Sequence, residues 1–200
     1  MEANHDEAAA AERDAEIARA TIGDRPELNA PITIVEYDPA WPDQFSSLAE
    51  TIRGALGDTV RLLEHGGSTS VPGLPAKPII DIVLAVRDSS DESTYVPQLE
   101  EVGFTLRIRE PEWYEHRVLK QVNPDVNLHV FSEGCREIEK MLLFRDWVRA
   151  HPEDRDRYAA EKRRLGAQNW KYVQHYADAK TSVVEEILAR AGWVADEPAS

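Results

Sequence analysis

The feature that most limits how this chain can fold is an apolar run of eight residues, Ile79–Val86, with one charged member, Asp81. Eight residues suit a buried β-strand and are too few to cross a membrane as a helix. Because side chains alternate along a strand, Asp81 shares a face with Val83 and Ala85. Burying an unpartnered polar group costs roughly 2–7 kcal/mol, and a charge costs more. We therefore expect Asp81 to bind a cation, accept N–H bonds or border a cleft, the alternative being a structural cap on the preceding loop.

The loop before this strand combines glycines, hydroxyl side chains and a lysine. Glycines permit a positive φ and a close approach of the backbone, so successive N–H groups can point at one anion. The hydroxyls add donors, and the lysine adds a mobile positive charge. The histidine that precedes the glycines either orients the loop, contacts a phosphate or is a hydrogen-bonded core residue. The predicted anion-binding residues of this loop are His65, Gly66, Gly67, Ser68, Thr69, Ser70 and Lys77.

Hydrophobic periodicity around the loop indicates strands followed by helices without regular alternation, which is typical of an α+β domain. We expect residues 1–30 to form a flexible or helical extension, residues 31–194 a single domain, and residues 195–200 a tail. The predicted strands are 32–37, 59–64, 79–86, 104–108, 117–122 and 126–131. The predicted helices are 43–56, a short one ending at 102, 137–150, 153–168 and 171–191.

Composition narrows the range of partners. The chain has 37 acidic and 23 basic side chains and a net charge of −14, which repels nucleic-acid phosphates and anionic lipids. We therefore expect neither nucleic acid nor a membrane as a partner. The single cysteine, Cys135, excludes an internal disulfide, and the acidic N-terminus does not read as a secretory signal, so we expect a cytoplasmic protein.

Three cations interrupt the apolar faces of the predicted C-terminal helices: Arg145, Lys162 and Lys180. One interpretation is that their aliphatic stems cover the core while the charges reach solvent or pair with carboxylates. The other is that all three point inward and form a basic patch that neutralises a polyphosphate. The neighbouring glycine loop favours the second interpretation.

Several stretches of the chain together resemble the GrpB family, over roughly residues 32–191. They are Tyr37–Pro42, Glu64–Leu74, Ala76–Asp81, Leu128–Phe131 and Phe144–Pro152. That family is grouped with polymerase-β-like nucleotidyltransferases. The resemblance therefore implies an α+β fold with a mixed sheet and a C-terminal set of helices.

The resemblance also implies an activity, the Mg²⁺-dependent transfer of a nucleoside monophosphate from a nucleoside triphosphate to a small acceptor. Gly67 and Ser68 would hold the phosphates, and Asp81 would bind Mg²⁺ and act in catalysis with Lys77. We expect Arg145, Lys162 and Lys180 to join the loop in binding the nucleoside triphosphate or another phosphorylated small molecule. The residues expected to line the substrate cleft are Arg117, Asn127 and His129.

The chain departs from the superfamily pattern at two positions. Val83 stands where a second acidic residue is usual, and the later strand that brings the third offers Asn127 and His129. Because Mg²⁺ prefers carboxylate oxygens, an accessory domain that binds a nucleotide or coenzyme without catalysis is the alternative function. GrpB-like domains also occur attached to dephospho-CoA kinase. Two further alternatives are a transition-metal site of His65, Asp81 and His129, and a purely structural interaction protein.

Overall fold

The computed structural model describes residues 2–194, with side chains from residue 8 onward. The predicted tail, residues 195–200, lies outside the described residues. The helices are α1 (Glu2–Ala20), α2 (Trp41–Leu56), α3 (Val96–Glu101), α4 (Arg136–Ala150), α5 (Pro152–Gly166), α6 (Val173–Ala179) and α7 (Thr181–Arg190). The strands are β1 (Leu62–His65), β2 (Ile80–Val86), β3 (Thr105–Glu110), β4 (His116–Gln121) and β5 (Val126–Ser132).

The five strands form one mixed sheet in the order β1-β2-β5-β4-β3, which confirms the predicted α+β class. β2 and β5 run parallel, and the other neighbouring pairs are antiparallel. The register sets Asp81 opposite Asn127, and Asn127 opposite Lys120. Because residues paired across strands point to the same face, these three polar side chains lie side by side on one face of the sheet.

The opposite face is closed by α2 and α3 around the main hydrophobic core. α2 carries Pro42 in its first turn, where a fixed φ and a missing N–H do no harm. Its buried residues recur at helical spacing and meet the apolar side chains of β2 and β5. A slip of one residue in the register would expose this whole set, so packing fixes Asp81 on the other face. The central members of this core are Leu48, Ile52, Leu56, Ile82, Leu84, Leu99, Leu128 and Val130.

The face that carries Asp81 is only half covered by apolar packing. α4 packs Ile138 against Val83, Ala85 and Phe131 at one end of the face. Toward the other end, α5 and α6 reach the loop before β2, where Lys162 donates to the main-chain oxygen of Pro75. The C-terminal helices therefore form a wall beside the polar end of the sheet.

Three predicted elements differ from the observed ones. The segment predicted as a strand at 32–37 forms one isolated β-bridge, Val35 with Ala76, and no ladder, although the N–H of Ile32 also donates to the main-chain oxygen of Gly166. A short 3-10 turn, Gly57–Thr59, delays the first strand to Leu62–His65. The predicted last helix is divided at Lys180 into α6 and α7. Periodicity could not locate these ends because helical spacing of apolar residues continues across the break.

The N-terminal helix α1 contacts the edge of the sheet. Ile17 is buried, Thr21 forms a bridge with Ile108, and the N–H of Ile22 donates to the main-chain oxygen of Arg107 at 2.8 Å. Within residues 2–194, no helix has both the length and the apolar character needed to cross a membrane.

Candidate phosphate-binding cleft

Asp81 lies where the glycine loop closes onto β2. Its Oδ1 accepts a hydrogen bond of 2.8 Å from Nδ2 of Asn127, and its main-chain oxygen accepts one of 2.8 Å from the N–H of Gly66. Gly67 has a φ of +58°, and a Cβ built on it would stand 2.3 Å from Asp81 Oδ2. The side chain of Asp81 keeps 28% of its surface exposed. The loop and the carboxylate therefore form one unit at the floor of an open cleft.

The Asp81 carboxyl is held in its charged form. Burial raises its pKa, but the contacts and charges of His129, Asn127 and Lys77 outweigh burial and leave the pKa below its ordinary value. Nε2 of His129 lies 3.8 Å from Oδ1. Asp81 therefore contributes one negative charge to the cleft at neutral pH.

Three lysines, Lys77, Lys120 and Lys162, interact electrostatically with this carboxylate, and a fourth, Lys180, acts on two of them. Burial lowers the pKa of Lys77 to about 8, with Lys180 and Lys120 acting in the same direction and Asp81 opposing them. Burial lowers the pKa of Lys162 to about 6, again helped by Lys180 and opposed by Asp81. Burial also lowers the pKa of Lys120, helped by Arg107 and opposed by Asp81 and Asp125. These shifts indicate a group of cations that are close together and short of negative charge.

The ring of Tyr176 separates two of these lysines. Lys77 Nζ lies 5.8 Å and Lys180 Nζ 4.7 Å from its centroid, both within reach of a cation–π interaction. The ring is buried on α6, so it offers both ammonium groups a fixed aromatic neighbour. An aromatic support of this kind holds the stems in place while leaving the charged heads available to an anion.

The residues of the cleft do not fit a resident Mg²⁺ ion. Mg²⁺ requires a near-octahedral set of oxygen ligands. Here Asp81 is met by an amide N–H of Asn127, and its neighbour Val83 is fully buried. Among the described residues, no three His, Cys, Asp or Glu side chains converge as a metal site. The positive charges of the nearby lysines also disfavour a metal cation in the cleft.

A hydrogen-bonded line of three side chains ends beside Asp81. Glu110 Oε2 lies 2.7 Å from His116 Nδ1, and His116 Nε2 lies 3.1 Å from His129 Nδ1. Glu110 is ionised because its contact with His116 lowers its pKa, so it accepts the Nδ1–H of His116. Burial lowers the pKa of His116 to about 4, so that ring is neutral and accepts from His129. His129 therefore donates its Nδ1–H to His116, and its Nε2 faces Asp81 at the end of the line.

The other predicted loop residues shape the loop from behind. His65 Nε2 lies 3.0 Å from Thr69 Oγ1, and the His65 ring stacks on Phe45 of α2. Ser70 Oγ donates to the main-chain oxygen of Gly67 at 2.6 Å. Alternation along β1 puts His65 on the face opposite Asp81. The alternative of a metal site made by His65, Asp81 and His129 is therefore wrong.

Two predicted cations lie outside the cleft. Arg117 was expected to line the cleft, but it pairs with Val130 and so faces the opposite side, where it binds Glu92. Arg145 does not join the lysines; it donates to Glu64 at 2.8 Å and to the main-chain oxygen of His65 at 3.1 Å. Lys162 and Lys180 are brought together as expected. The sequence reasoning missed Lys120 and Glu110, whose positions depend on the registers of β4 with β5 and of β3 with β4.

Comparison with known proteins gives consistent matches over the whole fold. The family model described as "GrpB protein" matches residues 31–190. UPF0157 protein BH1888 from Halalkalibacterium halodurans is 59% identical over 178 residues, which cover 89% of this chain and 91% of that protein. Dephospho-CoA kinase from Mycolicibacterium paratuberculosis is 30% identical over 160 residues, which cover 67% of this chain and 39% of that protein.

Solved structures give the same result. The crystal structure of conserved protein GrpB from Enterococcus faecalis matches with a TM-score of 0.70 and 28% identity, covering 80% of this chain and 96% of that chain. A more distant match, the Cid1 poly(U) polymerase, has a TM-score of 0.47 and 12% identity and covers 66% of this chain and 44% of that chain.

Proposed function

The chain belongs to the GrpB family, and we propose that its cleft binds a phosphorylated small molecule, such as a nucleoside triphosphate, with lysines in place of a metal ion. The observation that carries this proposal is the excess of lysines over carboxylates in the cleft. Lys77, Lys120 and Lys162 all interact electrostatically with one carboxylate, Asp81, and Lys180 acts on two of them. A cleft with this excess of cations in a chain of net charge −14 favours an anionic ligand.

The depressed pKa values explain how the cleft responds to a polyphosphate. Without a ligand, mutual repulsion and burial keep Lys162 largely neutral at pH 7, since its pKa is about 6. A polyphosphate supplies the missing negative charge, favours the protonated lysines and forms charge-assisted hydrogen bonds with them. Asp81 and Asn127 form the floor of the cleft, and Gly67 lets the loop approach that floor closely.

A Mg²⁺-dependent nucleotidyltransferase, moving a nucleoside monophosphate to a small acceptor, is the second candidate. It is favoured by the ionised Asp81 beside Gly67, the position that the family resemblance gives to a metal-binding carboxylate. The missing carboxylates at Val83 and Asn127 weigh against it. A non-catalytic role with a coenzyme-type phosphate ester is a form of the first proposal, supported by the similarity to a dephospho-CoA kinase.

Calorimetric titration of ATP and pyrophosphate, with and without Mg²⁺, tests the proposal. Wild type is expected to bind without metal, and Lys77→Met to bind at least tenfold more weakly. Asp81→Asn removes the carboxylate that opposes Lys77 and Lys162, so it should bind equally well or up to tenfold more tightly. Lys171→Met is the matched control, because Lys171 pairs with Asp14 away from the cleft and is exposed.

The two candidates predict opposite results for Asp81. Binding that requires Mg²⁺ and is lost in Asp81→Asn would favour the nucleotidyltransferase and make pyrophosphate release the next measurement. No binding of either ligand under any condition would exclude both candidates.

A further inference from the structure

A second cavity lies on the other side of the glycine loop from Asp81. It has a volume of about 510 Å³ and is bordered by the start of α2, the end of β1, the loop and the α4–α5 corner. Asp81, the cleft lysines and His129 do not line it. The residues that matter here are Tyr37, Phe45, Ser70, Arg145, Arg149 and Arg155.

Within the described residues, two of the three arginines have carboxylate partners at hydrogen-bond distance, and the third does not. Arg145 is 10% exposed and binds Glu64 and Asp146, and Arg149 shares Asp146. Burial and the repulsion of Arg145 lower the pKa of Arg149. Two carboxylates therefore serve two guanidinium groups, and the third, Arg155, has no close carboxylate at hydrogen-bond distance among the described residues.

Arg155 carries the clearest sign of a missing partner. Its Nε is buried and has no hydrogen-bond acceptor among the residues that the structure describes. The nearest carboxylate, Asp156, is 3.7 Å away and mostly exposed. A guanidinium group short of acceptors is disfavoured, and 26% of the Arg155 side chain is exposed where it lines the cavity, so an anion there would accept from its terminal N–H groups.

The position of Arg155 near the start of α5 supports the same conclusion. α5 begins at Pro152, and its first amides present the positive end of the helix dipole. Glu153 and Asp154 in the first turn offset part of this potential, and an anion between Arg155 and Arg149 interacts with both guanidinium groups and with the part that remains.

The opposite wall of the cavity is apolar. Tyr37 and Phe45 line it, together with Pro42 and Pro72. A ligand that fills both halves therefore needs a compact divalent anion at one end and an apolar or aromatic group at the other. Guanidinium groups match the geometry of phosphate oxygens.

We propose that this arginine cavity is a second ligand site, separate from the Asp81 cleft, and that it takes a small organic phosphate monoester with an apolar substituent. It is independent of the proposed function, because it shares neither lysines nor carboxylates with the cleft. Arg155 and Arg149 bind the phosphate, and Tyr37 and Phe45 contact the substituent.

Phenyl phosphate is the probe, titrated into the full chain by calorimetry and by NMR of the Tyr37 and Phe45 rings. Wild type should bind it, and Arg155→Met should weaken binding at least fivefold. Arg157→Met is the matched control on the same helix, because Arg157 is exposed and pairs with Glu186. Lys77→Met, which disables the cleft, should leave phenyl phosphate binding unchanged.

Thermal unfolding separates loss of the site from loss of the fold. Arg155→Met should unfold at the wild-type temperature or above, and phenyl phosphate should raise the unfolding temperature of wild type but not of this variant. Undiminished binding to Arg155→Met, binding abolished by Lys77→Met, or no binding to wild type at millimolar concentration would each overturn the proposal. The Asp81 cleft is tested separately, by ATP binding to wild type and to Lys77→Met. Either proposal can therefore be contradicted without affecting the other.

Discussion

Gly67 lies so close to Asp81 that it has no room for a side chain. A Cβ on Gly67 would stand 2.3 Å from Asp81 Oδ2 and 2.8 Å from Asp81 Cβ. The backbone at Gly67 also has a φ of +58°, which side chains disfavour. The glycine therefore fixes the distance between the loop and the carboxylate at the cleft floor.

Replacing Gly67 by Ala is expected to displace the loop from Asp81, because both the contact and the φ oppose a methyl group. We expect a loss of stability of roughly 2–4 kcal/mol and at least a tenfold loss of ATP binding. Gly73→Ala is the matched control, since Gly73 also has a positive φ but nothing lies within 4 Å of its Cβ position. Chemical denaturation and calorimetry measure the two effects; equal effects of both variants on binding would contradict the role of the contact.

Binding of a polyphosphate should be accompanied by proton uptake. The pKa of Lys77 is about 8 and that of Lys162 about 6 in the free protein, and a bound anion raises both. At pH 8.5 ATP is already fully ionised, so uptake reports on the protein and should exceed roughly half a proton per ATP. The observed binding enthalpy should therefore differ between buffers of different ionisation enthalpy. Identical enthalpies in Tris and HEPES would show that the lysines do not change protonation.

Lys162→Met is expected to stabilise the protein and weaken binding. Lys162 is 2% exposed, and its pKa of about 6 means that folding at pH 7 requires it to lose a proton it holds when unfolded. Methionine has no such requirement and loses one hydrogen bond to Pro75, so the free energy of unfolding should rise by about 2–4 kcal/mol. ATP affinity should fall at least fivefold. A destabilised variant would indicate that the contact with Pro75 outweighs the burial of the amine.

Stability should fall as the solution is acidified below pH 6.5. Burial lowers the pKa of both His65 and His116 to about 4, from an ordinary value of 6.5. Between these values the unfolded chain binds protons that the folded protein does not, so each histidine removes up to about 3 kcal/mol as the pH falls from 6.5 to 4. The depressed pKa of Asp81 acts in the same direction at lower pH. Urea unfolding across this range measures the slope, and His116→Phe should reduce it; an unchanged slope would argue against a neutral, buried His116.

Much of the fold follows from local patterns. The predicted bounds of the helices α2, α4 and α5 and of the strands β2 and β5 agree with the structure to within a few residues. Asp81 and its loop stood out because a charge in an apolar strand needs a physical reason. These features depend on residues that are close together in the sequence, so they can be recognised from one sequence alone.

The remainder of the cleft depends on strand register, which the sequence leaves open. A hairpin centred on Pro124 would pair Arg117 with Phe131, on the face of His129. The observed register pairs Arg117 with Val130, and this difference of one residue reverses its face. The same register delivers Lys120 to Asn127, and the register between β3 and β4 delivers His116 to Glu110. The position of Arg145 at the second cavity likewise depends on the angle at which α4 crosses the sheet. The periodicity of apolar residues does not predict that angle.

Three cations hold the glycine loop through main-chain oxygens: Arg145 at His65, Arg149 at Ser70 and Lys162 at Pro75. Every residue type supplies a main-chain oxygen. These three hydrogen bonds therefore depend on the path of the loop backbone and do not depend on its side chains. The loop can thus exchange the side chains that meet a ligand while its supports remain intact. This scaffold could acquire a new ligand specificity by changes within a few residues, without repacking the sheet or the helices behind it.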